Sequence, residues 1–167
     1  MKFLNVKMLG LTGKPHPALL NIFSTQQAKK LRLHLKFLSG DFLTCERRAK
    51  DQPILNPICK LCFEHNESYE HLLVQCRATA EIRQRLYPEL LNTVLRVQPT
   101  SSMLLYQITP HQLTQFILDC TSINLAEDIR IPAHNPNISE IFRISRDWCF
   151  AVSNERTRIL KTNKTII

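Results

Sequence analysis

Cys59-Lys60-Leu61-Cys62-Phe63-Glu64-His65-Asn66-Glu67-Ser68-Tyr69-Glu70-His71-Leu72-Leu73-Val74-Gln75-Cys76 is the stretch that decides how this chain is read. It carries Cys-x2-Cys-x8-His-x4-Cys. Two thiolates separated by two residues reach one ion from a single tight turn, and a nearby His and Cys complete a closed tetrahedral set suited to zinc. With Cys59, Cys62, His71 and Cys76 all bound, no position is left for a substrate water, so the expected Zn2+ is structural. His65 competes with His71, but it follows Cys62 by only three residues, where closing the loop around one ion is tight; His71 is preferred. His71 and Cys76 are five apart, which on a regular α-helix separates them by about 140°. The second ligand pair therefore requires an irregular turn.

Working outward, Ser24 and Gln27 form a capping-box signature. They open a helix on which Ala28, Leu31, Leu35 and Leu38 recur at helical spacing and which Gly40 ends. On it Lys29, Arg32 and Lys36 fall within roughly 60° of one another, as one basic stripe. Asp41 is the expected cap of a shorter helix carrying Glu46, Arg47, Arg48 and Lys50. Cys45 lies inside that helix, fourteen positions before Cys59, and is not read as a ligand.

After the ligands, Ile82 and Leu86 share a face up to Pro88, which is expected to restart a helix bearing Leu90, Leu91, Val94 and Leu95. Thr109, Pro110 and Gln112 supply cap, first-turn proline and box partner for a helix with Leu113, Phe116, Ile117 and Cys120 on one face. Pro132 to Asn137 reads as a loop. The last helix carries Ile141, Ile144, Trp148 and Ala151, with Trp148 packed and its indole N–H in need of an acceptor.

The fold class expected is mainly α: a small helical domain with a CCHC zinc-knuckle-like loop over residues 24–97, followed by a helical C-terminal lobe over 108–162. Residues 1–23 and 98–107 read as linker. Three Gly against nine Pro in 167 residues, with little strict alternation, favour helices over a sheet. Lys2, Lys7 and Lys14 interrupt any leader-like apolar run, so an intracellular chain with reduced thiols, in cytoplasm, nucleus or both, is expected. No apolar run approaches the roughly 20 residues of a membrane span.

The net charge of +8 is uneven: residues 1–50 hold ten Lys/Arg and two acids, residues 51–100 five and six, residues 101–167 seven and six. The basic excess next to a metal loop favours a polyanion, most simply RNA or DNA held through its phosphates. Lys29, Arg32, Lys36, Arg47, Arg48, Lys50 and Lys60 are the candidate contacts. Catalytic signatures are missing. The sequence has no phosphate loop, nucleophile elbow, His-Glu-x-x-His pair or Asp-Asp dipeptide, so it is not read as an enzyme, and no small-molecule substrate is expected.

Leu31-Arg32-Leu33, the Phe37-Leu38-Ser39-Gly40 turn, the Cys59-Lys60-Leu61-Cys62 knuckle and Glu70-His71-Leu72-Leu73-Val74-Gln75-Cys76 together resemble a known region. It is the reverse-transcriptase zinc-binding region downstream of the polymerase in non-LTR (LINE-type) retrotransposon proteins. Phe116-Ile117-Leu118-Asp119-Cys120 and Ile144-Ser145-Arg146-Asp147-Trp148-Cys149, with Arg156 and Arg158, agree more loosely with the tail of such proteins. The close match covers about sixty residues, and Arg77 stands where many relatives have proline. The resemblance implies a structural zinc on Cys59, Cys62, His71 and Cys76 and a part in holding element RNA or target DNA, with a reverse-transcriptase core as a further partner. Polymerase and endonuclease motifs are absent. The chain is thus expected to be a C-terminal piece, a domesticated remnant or the product of a decayed element. The alternative from another class is a zinc-stabilised protein-interaction scaffold, which would leave Leu31, Leu35 and Leu38 as an exposed patch.

Overall fold

The computed structural model describes residues 24–97, 107–121 and 138–164. The linker stretches 1–23 and 98–106 and the loop Pro132 to Asn137 lie outside the described residues. Among the described residues five α-helices carry the fold: α1 (Thr25–Ser39), α2 (Cys45–Asp51), α3 (Ala80–Val97), α4 (Pro110–Leu118) and α5 (Ile138–Lys164). Between α2 and α3 run the metal loop, a π-helical turn (His71–Gln75) and a 3-10 turn (Arg77–Thr79). No strand occurs among the described residues; an isolated antiparallel bridge joins Ile58 to Asn66.

The helix ends follow local chemistry. Ser24 accepts a hydrogen bond from the Gln27 N–H and starts α1. Gly40 ends it in the left-handed region, at φ 78°, and the N–H groups of Asp41 and Phe42 turn back to the Lys36 carbonyl. At α4, Thr109 and Gln112 form both bonds of a capping box with Pro110 in the first turn. For α2 the cap is Thr44, which accepts from the Arg47 N–H at 3.2 Å. Asp41, the expected cap, instead accepts the Ser39 hydroxyl at 2.6 Å. The chain between them is drawn out because Phe42 must reach the core, where it stacks on Phe37 with ring centroids 4.0 Å apart.

Pro88 does not restart a helix; it sits inside a continuous α3. A proline deletes one N–H and crowds the preceding turn. The packing of Leu86, Leu90, Thr93 and Val94 on either side of it holds the helix together across that defect.

The long helix α5 is the spine against which α1, α3 and α4 all pack. Phe37, Leu72 and Leu90 share one buried cluster with Phe116, Ile141 and Trp148, so the core runs without a break from the first stretch into the C-terminal helices. The buried face of α1 is His34, Phe37 and Leu38 rather than the expected leucine row, with Ala28 exposed. Two polar residues cause the rotation. His34 Nε2 lies 2.8 Å from the Leu118 carbonyl in the core, and Lys30 pairs with Asp147 of α5 at 2.6 Å. Lys29, Arg32 and Lys36 stay exposed on the other side.

A Cβ at position 40 would meet nothing within 4 Å, so Gly40→Ala isolates the backbone cost of the left-handed cap. We expect a loss of about 1 kcal/mol in urea-denaturation stability. A loss below about 0.3 kcal/mol would mean that α1 has another way to end.

Candidate metal centre

The metal loop begins with a pinch. Cys59 N–H donates to the His65 carbonyl at 2.7 Å and Glu67 N–H to the Pro57 carbonyl at 2.9 Å, fixing residues 57–67 as a closed loop. Inside it Phe63 N–H returns to the Cys59 carbonyl at 2.8 Å, with Phe63 at φ 60°, so Cys59 and Cys62 project from one tight turn. The second pair is set by the π turn. Cys76 N–H bonds the His71 carbonyl at 2.6 Å, an i→i+5 bond that brings residue i+5 nearly above residue i. This is the irregular turn that the x4 spacing requires.

Both pairs converge. The ligand atoms of Cys59, Cys62, His71 and Cys76 all lie within 4.8 Å of one another, and all four residues are buried. The sulfurs of Cys59 and Cys76 are 3.9 Å apart, and Cys62 Sγ is 3.2 Å from His71 Nε2. A tetrahedral ion with sulfur bonds of about 2.3 Å has sulfur–sulfur edges of about 3.8 Å. The four residues therefore sit close enough to hold a metal ion. All six cysteines are free thiols, so no disulfide competes for the set.

The surroundings favour the ligating forms of His71 and Cys76. Burial, aided by His65, holds the His71 imidazole below its ordinary pKa, and a neutral imidazole is the form that binds metals. Cys59 and Cys76 share a hydrogen bond that pushes the Cys59 thiol up and draws Cys76 down. Backbone N–H groups of Leu61 and Cys62 point at the Cys59 sulfur and that of Ala78 at the Cys76 sulfur, each stabilising a thiolate. His71 Nδ1 is buried without a hydrogen-bond partner.

The carbonyls freed by the π turn are taken up by side chains. Thr79 Oγ1 lies 3.2 Å from the Leu72 carbonyl, and Trp148 Nε1 donates to the Leu73 carbonyl at 3.1 Å; the Cys76 carbonyl accepts the Thr79 N–H at 3.1 Å in the turn that follows, and Arg83 at 2.6 Å. Trp148 is wholly buried in doing so. That excludes it as a platform for an incoming base.

One residue missed in the sequence stands at the centre of this region. Glu67 is 0% exposed, its carboxylate accepts from Cys45 N–H at 2.9 Å and from Arg156 at 2.8 Å, and its second oxygen lies 3.8 Å from Cys59 Sγ. It ties the start of α2, the metal loop and α5 together. Cys45 is thus a neighbour of the cluster through its backbone and stands outside the ligand set. His65 also stays outside, exposed, with its ring 5.7 Å from that of His71. No local pattern marks Glu67; the only hint was an acid inside a loop that must be buried around a metal.

The seven expected basic contacts are all exposed but fall into three groups. Lys29, Arg32 and Lys36 line α1. Arg47 and Lys50 edge a depression shared with Glu46 and Glu70, and each pairs with an acid on α2, Asp51 and Glu46 respectively. Arg48 and Lys60 line a different groove, of about 550 Å³, between α2, the metal loop and α5. Among the described residues no helix is long and apolar enough to cross a membrane. No protein-family model, curated protein or solved structure matches the chain.

Removing one partner of a buried ion pair strands the other, so Glu67→Gln is expected to cost about 3 kcal/mol or more in chemical denaturation. Glu46→Gln, which breaks the solvated pair with Lys50, should stay within about 0.5 kcal/mol of the parent. Equal effects in the two variants would show that the Glu67–Arg156 pair does not organise the loop.

Proposed function

We propose that the chain is a noncatalytic module nucleated by a structural Zn2+ on Cys59, Cys62, His71 and Cys76, and that it binds nucleic acid through phosphates. Three thiolates and one imidazole in a closed, buried tetrahedral arrangement are the donor set zinc favours. Bound there, the ion would supply folding energy to the loop and cross-link it to the π turn. The observation that carries the binding reading is the placement of Lys60. It projects from the metal knuckle into the groove that Arg48 also lines, and no carboxylate lines that groove. Neither cation has an acidic partner among the described residues, so both charges are available to a polyanion. The stripe of Lys29, Arg32 and Lys36 on α1 is a separate exposed basic surface.

Such a module fits a C-terminal piece derived from a non-LTR retrotransposon reverse transcriptase, acting in cytoplasm or nucleus and close to a polymerase core. The ligand spacing and the Glu70-to-Cys76 segment support that descent. The scaffold reading asked for an exposed leucine face on α1. Leu38 is buried, Leu31 half-buried and Leu35 only 37% exposed, which does not favour it.

Elemental mass spectrometry of the purified chain should find one zinc, lost in the Cys59→Ser/Cys62→Ser double variant; a folded, reduced protein without zinc would sink the proposal. For binding, Arg48→Ala/Lys60→Ala should weaken association with a labelled oligonucleotide and lower the slope of log K against log salt by about 1.5. Lys29, Arg32 and Lys36 changed together to Ala should lower it by about 2. If both variants keep the parental affinity and slope, the basic surface is not the interface.

A further inference from the structure

Phe63 is the residue of the metal loop that folding does not explain. Its φ of 60° lies in the left-handed region, where Gly or Asn is accommodated at least cost and a bulky side chain is disfavoured. Its ring is 69% exposed, so no core packing offsets that cost. The conformation is nevertheless fixed, by the Phe63 N–H bond to the Cys59 carbonyl and by the flanking ligand Cys62. The result is a rigid mount for an exposed aromatic ring. It lines the same groove as Arg48 and Lys60, alongside Asn163 and Asn56, whose side-chain oxygen accepts the Ile58 N–H. Arg156 also borders the groove, but its charge is taken by Glu67.

An aromatic face flanked by unpaired cations and amides is the chemistry that recognises an unstacked base on a sugar-phosphate strand. A duplex offers no free base face to such a ring; a protein partner would not require the two cations. We infer that this groove is a single-stranded nucleic-acid site in which one base stacks on Phe63 while Arg48 and Lys60 hold neighbouring phosphates. The inference rests on the nucleic-acid reading above and adds to it the strand form and the recognition element. The π-face of any base satisfies the ring, so little sequence preference follows.

The test uses the full zinc-loaded chain, labelled oligouridine and oligothymidine of about 15 nucleotides, and a blunt duplex of the same length, read by fluorescence anisotropy. The parent should prefer the single strands. Phe63→Gly, which relieves the backbone, should retain its zinc and melting temperature yet lose about 5- to 100-fold in single-strand affinity, with an unchanged salt slope because no phosphate contact is removed. Phe63→Trp should keep the affinity, and its emission should be quenched on binding, against a background from the single buried Trp148. Quenching by only one of the two homopolymers would identify RNA or DNA as the strand that enters the groove. Equal affinity of parent and Phe63→Gly for single strands, or unquenched Phe63→Trp at saturation, would overturn the stacking inference and leave the phosphate reading intact. No binding of any oligonucleotide at low salt would overturn both.

Discussion

The hydrogen bond from Cys76 N–H to the His71 carbonyl constrains everything around it. An α-helical turn would have bonded residue 75 to residue 71 and left the Cys76 sulfur on another face of the helix. Widening the turn by one residue brings imidazole and thiolate together and at the same time breaks the regular ladder. The carbonyls of Leu72 and Leu73 then need donors from elsewhere, and each finds one, from Thr79 and Trp148. An unpaired buried carbonyl costs about 1–3 kcal/mol, so a turn of this kind survives only where such donors are already in place. The tryptophan that packs α5 into the core is thereby also the clamp on the ligand turn. Packing and metal site are one construction.

Electrostatics ties the other half of the site into the same construction. A fully buried carboxylate is unfavourable by itself, because a low-dielectric interior penalises an unsolvated charge. Glu67 is tolerable there because Arg156 neutralises it and Cys45 N–H solvates it. The guanidinium of Arg156 comes from α5, eighty-nine residues further along the chain. The cluster can therefore be complete only when α5 is docked. Its partners in turn anchor α5 at both ends of the site, through Trp148 on the π turn and Arg156 on the loop. Loop order and helix docking are expected to be gained and lost together.

How much of this was legible in the sequence depended on distance along the chain. Ser24, Gly40 and the Thr109 box act within a few residues, and each does what its type and position imply. The ligand set was legible for the same reason, since two short spacings fix it, and the need for an irregular turn followed from helix geometry alone. The face of α1 was misjudged because His34 and Lys30 read as surface residues until the Leu118 carbonyl and Asp147 are seen opposite them. Asp41 and Thr44 are both competent caps, and the choice between them was made by Phe42, which is drawn toward Phe37. Pro88 failed as a helix stop because packing along α3 outweighs one missing bond. Nothing local in the sequence marks Glu67 and Arg156 as partners. Their pairing is a property of the folded chain.

The same distinction bears on where a polyanion would be held. From composition alone, the first fifty residues carry the whole excess of positive charge, which points to α1. Charge counted along a chain, however, takes no account of which cations are already neutralised. Lys30 is paired with Asp147 and Arg47 with Asp51, acids from beyond residue 50, so part of that excess is already balanced. Arg48 belongs to the basic first fifty residues and Lys60 to the nearly balanced stretch that follows, with the whole approach to the metal loop between them. They nevertheless share a groove without carboxylates. Exposed charges more than a Debye length apart, about 8 Å at physiological salt, act almost independently. Local convergence of unpaired cations therefore counts for more than regional net charge, and the metal loop, which brings Lys60 to Arg48, decides where that convergence occurs.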